Sequence, residues 1–199
     1  LRTEALPATT DKRWNLEAVA NLVGDDSVDL LWRNSGTGRA VVWELNDGKF
    51  VGVRTLGVAG AGAGWRIAAS ADFNGDGFND IAWYNDALQK TSLWLMHGLN
   101  VRSVSIINAT PRAGEWMLGG VGDYNNDGRP DLLWRNADSG ANFIWFMDGT
   151  TLIGGQALPT LDPSWAVAST GDFDGDGNPD ILFYQRSSDQ SQLWRMNGA

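Results

Sequence analysis

The chain has 199 residues, 24 acidic against 15 basic side chains for a formal charge of −9, and no cysteine. Disulfides, zinc–thiolate centres and thiol nucleophiles are thereby excluded. The acidic balance argues against nucleic acid or an anionic membrane surface as the main partner and in favour of cations. No run approaches the roughly 18 apolar residues of a spanning helix, because Arg54 and Arg66 interrupt the most apolar stretch, residues 51 to 71, so no membrane insertion is expected.

The chain opens on Leu1 rather than Met, as a processed or trimmed piece does, and an orphan segment, EALPATTDKRW, leads to the first tryptophan. From there one unit recurs four times. Trp14, Trp65, Trp116 and Trp165 head the copies. Trp43, Trp94, Trp145 and Trp194 follow at the same intervals, as do Trp32, Trp83 and Trp134, with Phe183 in the fourth place. Those positions account for all eleven tryptophans, so tryptophan marks the unit and core packing is its expected role.

Within the third copy, WMLGGVGDY is an apolar segment and NNDGRPD an acidic glycine loop; LLWRN, NFIWFMDG and TTLIGGQALP are further short runs separated by turns. Runs of five to eight aromatic or branched residues, punctuated by Gly, Asn, Asp and Pro, are strands joined by hairpins. Four strands per unit of about 50 residues predict an all-β fold, a β-propeller of four four-stranded blades. The repeats run approximately 14–64, 65–115, 116–164 and 165–199 plus 1–13, all in one domain spanning 1–199.

The last copy ends after its third strand, and Ala5, Leu6 and Pro7 match Ala157, Leu158 and Pro159 of a fourth strand. The N-terminal strand is therefore expected to complete the last blade and close the ring. Half of an eight-bladed ring formed by two chains, a homodimer, is the alternative, and a linear solenoid a more distant one.

Three copies carry a nine-residue loop with oxygen side chains at positions 1, 3, 5 and 9 and Gly at position 6. The first is Asp72, Asn74, Asp76 and Asp80, the second Asp123, Asn125, Asp127 and Asp131, the third Asp172, Asp174, Asp176 and Asp180. A chain curling around a hard cation turns alternate side chains inward, and Gly permits the sharp turn. The backbone carbonyl at position 7, from Phe78, Arg129 or Asn178, would complete six or seven oxygens with position 9 bidentate. Calcium fits better than magnesium, which gives up its water reluctantly; zinc and copper want nitrogen or sulfur, and His97 is the sole histidine. Ten of the 24 acidic residues lie in these loops, so three dications would offset six negative charges. The first copy, residues 21–29, has Val23 at position 3 and Asp26 where Gly is needed, and is expected to bind weakly or not at all.

The stretches GDFDGDGNPDILFY and GDYNNDGRPDLLWRN, with the W-x-M-[ND]-G turn of Trp145, Met147, Asp148 and Gly149, resemble FG-GAP or VCBS-type repeats, the family that includes the integrin α-subunit propeller. The resemblance covers essentially the whole chain. It implies a calcium-bearing propeller, secreted or on the cell surface, serving adhesion, carbohydrate recognition or a polysaccharide-acting enzyme. Propellers of that family usually have seven or eight blades, and the first loop departs from their pattern.

The expected function is a recognition or adhesion module for a glycan or a surface protein. A non-catalytic scaffold or accessory domain of a larger secreted protein is one alternative, and a polysaccharide lyase another. No catalytic residue is assigned: His97 stands where sister units carry Asp47, Asp148 or Asn197, which marks it as a turn residue, and Tyr84 and Tyr184 occupy equivalent, structural places. Phe50 and Phe78, which break the repeat, are the aromatics best suited to contact a ligand.

Overall fold

A computed structural model describes residues 5–7, 10–25, 27–56, 64–107 and 116–199, and among them every regular element is a β-strand. The first sheet is β1 (Trp14–Ala20), β2 (Asp29–Asn34), β3 (Ala40–Asn46) and β4 (Lys49–Thr55). The second is β5 (Trp65–Ala71), β6 (Asp80–Asn85), β7 (Lys90–His97) and β8 (Asn100–Ile107). The third comprises β9 (Trp116–Gly122), β10 (Asp131–Asn136), β11 (Asn142–Asp148) and β12 (Thr151–Leu158), and the fourth β13 (Trp165–Gly171), β14 (Asp180–Gln185) and β15 (Gln190–Trp194). In each, strands neighbour one another in chain order. The fold class expected from the repeat, all-β with four propeller-type blades, is the one observed.

Local chemistry sets the hairpins. Asp47 and Gly48, at φ 48° and 73°, form the two-residue turn between β3 and β4, a conformation that Asp-Gly adopts readily and that suits the twist of paired strands. Each first strand carries a bulge at the same place, between Leu16 and Ala18, Ile67 and Ala69, Leu118 and Gly120, or Val167 and Ser169. The extra residue adds local twist, so the four blades share a shape as well as an order.

The fourth sheet has three strands among the described residues. Ala5, Leu6 and Pro7, expected in its fourth strand, are exposed and belong to no strand, and residues 1–4 and 8–9 lie outside the described residues.

The strands gather into two compact units, one containing the first two sheets and the other the last two. In the first unit Ala20, Leu31, Ala40 and Val42 of one sheet meet Ile67, Ile81, Trp83, Trp94 and Met96 of the next. In the second, Leu133 and Ile144 meet Ile181 and Phe183, with Trp165, Val167 and Trp194 packed alongside. The aromatic face arises from register. Trp145 lies opposite Leu132, so Trp134, two residues on, is its diagonal neighbour on the same face. The rings of Trp134 and Trp145 lie 4.8 Å apart, and the equivalent pairs Trp32–Trp43, Trp83–Trp94 and Phe183–Trp194 lie 4.9, 4.8 and 4.7 Å apart. No tryptophan is exposed, in keeping with a packing role.

An arginine crosses each of these junctions. Arg33 lies 5.9 Å from the Trp83 ring centre and Arg135 5.5 Å from that of Phe183. Arg135 is buried. Its Nε donates to the carbonyl of Trp165, Nη1 to Gly140 and to Asn142 Oδ1, and Nη2 to Leu161 and Asp162. Burial pulls the guanidinium below its usual range, with the charge of Asp162 opposing. This fork ties the third blade to the connection entering the fourth. Lysine cannot span so many carbonyls, so Arg135→Lys is expected to lower the unfolding free energy by about 3 kcal/mol. Urea denaturation reads this directly, and an unchanged midpoint would contradict it.

Candidate metal centre

Each acidic loop connects the first and second strands of a blade, and its backbone is organised by its own carboxylates. At position 1, Asp172 Oδ1 accepts the N–H groups of Gly175 (2.6 Å) and Asp176 (3.1 Å), and Oδ2 that of Gly177 (3.0 Å). Asp123 receives Asp127 at 3.0 Å and Gly128 at 2.8 Å, and Asp72 receives Asp76 at 3.1 Å and Gly77 at 2.8 Å. These bonds, that of Gly177 foremost, hold Asp172 below the usual carboxylate range. At position 5, Asp76, Asp127 and Asp176 each accept the N–H of position 7, from Phe78, Arg129 and Asn178. The glycines at position 6, Gly77, Gly128 and Gly177, have φ of 88°, 85° and 91°, a turn that side chains with a Cβ rarely adopt.

Among the described residues, Asp172, Asp174 and Asp176 are an exposed group whose carboxylate oxygens lie within 4.8 Å of one another. That separation suits one calcium ion, since ligands 2.3–2.6 Å from the metal on opposite sides stand about 5 Å apart. In the other two loops position 3 is Asn, which brings a neutral carbonyl oxygen instead. Asn74 is half-buried. Asn125 Oδ1 accepts the N–H of Asp127 at 3.0 Å, while its Nδ2 donates to Asp127 Oδ2 at 2.9 Å.

Position 9 has a structural role that spacing alone did not reveal. Asp80, Asp131 and Asp180 are buried. Asp131 Oδ2 accepts the N–H groups of Tyr124 (3.0 Å) and Asn125 (3.2 Å), and Oδ1 that of Met147 (2.9 Å). Asp180 takes Phe173 at 3.0 Å and Met196 at 2.9 Å, and Asp80 takes Met96 at 2.7 Å. The carboxylate thus ties the loop's start to the end of the third strand. Asp29 repeats the tie with Leu22 (3.0 Å), Val23 (3.1 Å) and Leu45 (3.1 Å), in the blade whose position 3 is Val23. The tie therefore stands without a full set of oxygen side chains. In that first loop Asn21 accepts the N–H of Gly24 and Asp25 that of Ser27, whereas Asp26 lies outside the described residues.

The side chains at position 7 vary. Phe78 stacks on His97 with centroids 4.3 Å apart, Arg129 pairs with Asp148, and Asn178 Oδ1 accepts Asn126 Nδ2 at 2.8 Å. Phe78 also lies over Gly24, where a Cβ would fall 2.0 Å from its ring. Beside it a cavity of about 420 Å³ is lined by residues including Asp25, Glu44, Arg54, Phe78, His97 and Asn100. The Glu44 carboxylate accepts from Arg54 Nε at 2.6 Å. Sequence reasoning assigned neither Glu44 nor Arg54 to a site. A signal was there: sister units carry Leu95, Phe146 and Arg195 in the place of Glu44. Phe50, the other repeat-breaking aromatic, packs edge-on against Trp43 at 5.7 Å.

Comparison with known proteins agrees with the repeat. The family model described as FG-GAP-like repeat matches residues 21–83 and 84–183. A solved structure of a protein of unknown function from Bacteroides caccae is similar over 94% of this chain and 63% of that one, at 17% identity and a TM-score of 0.45; the chain thus spans less than two thirds of that protein's length. No curated protein matches the chain.

Two outcomes follow from the ninth position. Asp29→Ala leaves three backbone N–H groups without their acceptor and is expected to cost about 3 kcal/mol, equally in calcium and in chelator, as read by urea denaturation. Burial pushes the Asp131 carboxyl up to about 6, against the pull of the Met147, Tyr124 and Asn125 amides. Its protonated form thus favours the fold: that stability is fully present below the ordinary 3.8 and lost as pH rises through about 6. Without divalent ions, stability should therefore rise as pH falls from about 7 to about 5, and Asp131→Asn should flatten the slope; identical slopes would refute the assignment.

Proposed function

Because the chain belongs to the FG-GAP-like repeat family, whose model matches residues 21–83 and 84–183, we propose that it is a calcium-stiffened recognition module acting outside the cell. The observation that carries this reading is the carboxylate group of Asp172, Asp174 and Asp176. These three, with the position-7 carbonyl of Asn178, hold the ion in the last blade. Asp72, Asn74, Asp76 and Phe78, and Asp123, Asn125, Asp127 and Arg129, do so in the second and third. Asp80, Asp131 and Asp180 complete each shell, Asp131 through Oδ1, which accepts the single N–H of Met147 and keeps a second lone pair.

A bound dication cancels the repulsion among clustered carboxylates and fixes the hairpin tips. At extracellular calcium, ten- to thirtyfold above Kd, occupancy adds roughly 1–2 kcal/mol per site. Stiff tips present a surface at little entropic cost. The ligand is a glycan or surface-protein sugar, and it occupies the cavity beside Phe78 and His97: an apolar ring face suits a pyranose, and Glu44, Arg54, Asp25 and Asn100 supply donors and acceptors for hydroxyls. The chain is not itself an enzyme in this reading; a scaffold role would leave that cavity without a ligand.

Asp174 is exposed and takes part in its loop's hydrogen bonds through its backbone N–H to Asp172, which alanine keeps, so Asp174→Ala isolates the metal. Calcium is expected to raise Tm by several degrees in the wild type and by less in the variant, while the two melt alike in chelator. No calcium-dependent shift in the wild type would sink the proposal. Glycan arrays probed with wild type and with Phe78→Ala test the ligand: hits lost in the variant support it, and an array without hits leaves the scaffold reading in its place.

A further inference from the structure

Each unit is built by seating the aliphatic face of one blade on the aromatic face of the next. The residues that form the aliphatic face correspond from blade to blade. At position 2 of the acidic loops, Leu22, Phe73 and Tyr124 are fully buried, but Phe173 is 49% exposed. On the third strand Val42, Leu93 and Ile144 are fully buried, but Leu193 is 41% exposed. On the second strand Leu31, Ala82 and Leu133 are buried, whereas Leu182 is only half-buried. Three adjoining positions that are closed in three blades are open together in the fourth.

The composition of that face names its complement. Wherever it is covered by another blade within a unit, the cover is an aromatic pair: Trp83 and Trp94 over Leu31 and Val42, Phe183 and Trp194 over Leu133 and Ile144. Aromatic faces with room are scarce among the described residues. Trp83, Trp134 and Phe183 are buried, but their counterpart Trp32 is half-buried. A cavity of about 270 Å³ opens beside it, bounded by Trp14, Trp32, Val41, Trp43 and Val53, with Thr10 and Asp11 at its edge. The buried Trp32 Nε1 has no hydrogen-bond partner.

We propose that the Phe173, Leu182 and Leu193 face of the last blade docks on the Trp14, Trp32 and Trp43 face of the first blade of a second copy of this chain. The contact is head to tail, joining two different surfaces, and it repeats between chains the junction that each unit already makes within itself. It does not depend on calcium or on a glycan.

Light scattering coupled to size exclusion tests it on the chain as it stands. At micromolar concentration the expected mass is that of two or more chains. Leu193→Asp and Phe173→Ser, at side chains already exposed in the single chain, should return the mass to 21.6 kDa with the melting curve of the fold retained. A wild type that elutes as one chain overturns the proposal, as does an assembly that both variants preserve. Because the chain has no cysteine, single introduced thiols report the geometry. Leu193→Cys and Val53→Cys chains, co-expressed, should join through a short bismaleimide, whereas neither should cross-link alone. Cross-linking within one variant alone, or none in the mixture, would overturn the assigned faces.

Discussion

An aromatic pair pressed against the aliphatic face of a neighbouring sheet is the contact on which each unit depends. A single small sheet of three or four strands cannot bury both faces, and runs such as Leu132, Leu133 and Trp134 put large apolar groups on both. At about 25 cal/mol per Å² and 150–250 Å² per ring, each buried aromatic contributes roughly 4–6 kcal/mol of transfer free energy. Placing the two rings on diagonal positions of one face keeps that face flat enough to slide against Leu, Ile and Val. The guanidinium of Arg33 or Arg135 then lies over the ring beyond. Arg135 does more, because its five hydrogen bonds join Gly140 and Asn142 of the third blade to Leu161 and Asp162 of the connecting segment and Trp165 of the fourth.

The hairpin loops divide their carboxylates between two tasks. Position 9 belongs to the sheet: it faces inward, is buried, and accepts amides from both ends of the loop's surroundings. Positions 1, 3 and 5 belong to the tip, where the position-1 carboxylates shape the turn and, in the last blade, Asp172, Asp174 and Asp176 stand exposed and close together. The first blade serves as an internal control, for it retains Asp29 and its three amide bonds while Val23 replaces the oxygen at position 3. The hairpin stands without an oxygen side chain at position 3, because the carboxylate that ties it to the sheet is the one at position 9.

Much of this was legible from spacing. The tryptophan period placed the first strand of each blade at Trp14, Trp65, Trp116 and Trp165, where β1, β5, β9 and β13 begin. The alternation of Asp with Gly marked the loops, and the packing role of tryptophan followed from its regularity. Spacing failed where two functions share one residue type. Asp131 and Asp127 are the same letter four residues apart, and only the fold shows that one is buried against the sheet and the other exposed at the tip. The N-terminus is a different case: the likeness of Ala5, Leu6 and Pro7 to Ala157, Leu158 and Pro159 suggested a strand, and the flanking residues 1–4 and 8–9 lie outside the described residues. Strand pairing needs a partner edge in register as well as a matching tripeptide, and Ala5, Leu6 and Pro7 are exposed and in no strand.

A repeat protein carries its own comparison set, and position 7 shows how that set separates fold from specificity. The backbone N–H of Ser27, Phe78, Arg129 and Asn178 makes the same bond to the position-5 carboxylate in every blade. Main chain does the constant work there, so the side chain is released from it. Phe78 uses that freedom to stack on His97 and cover Gly24, Arg129 to pair with Asp148, and Asn178 to accept from Asn126. The same logic singles out Glu44 and Arg54, whose counterparts are unrelated in chemistry. Residues that every blade repeats hold the sheets together, and four that depart from the repeat, Glu44, Arg54, Phe78 and His97, line one cavity. Such convergence is what a binding surface requires of a scaffold whose remaining positions are already committed to packing.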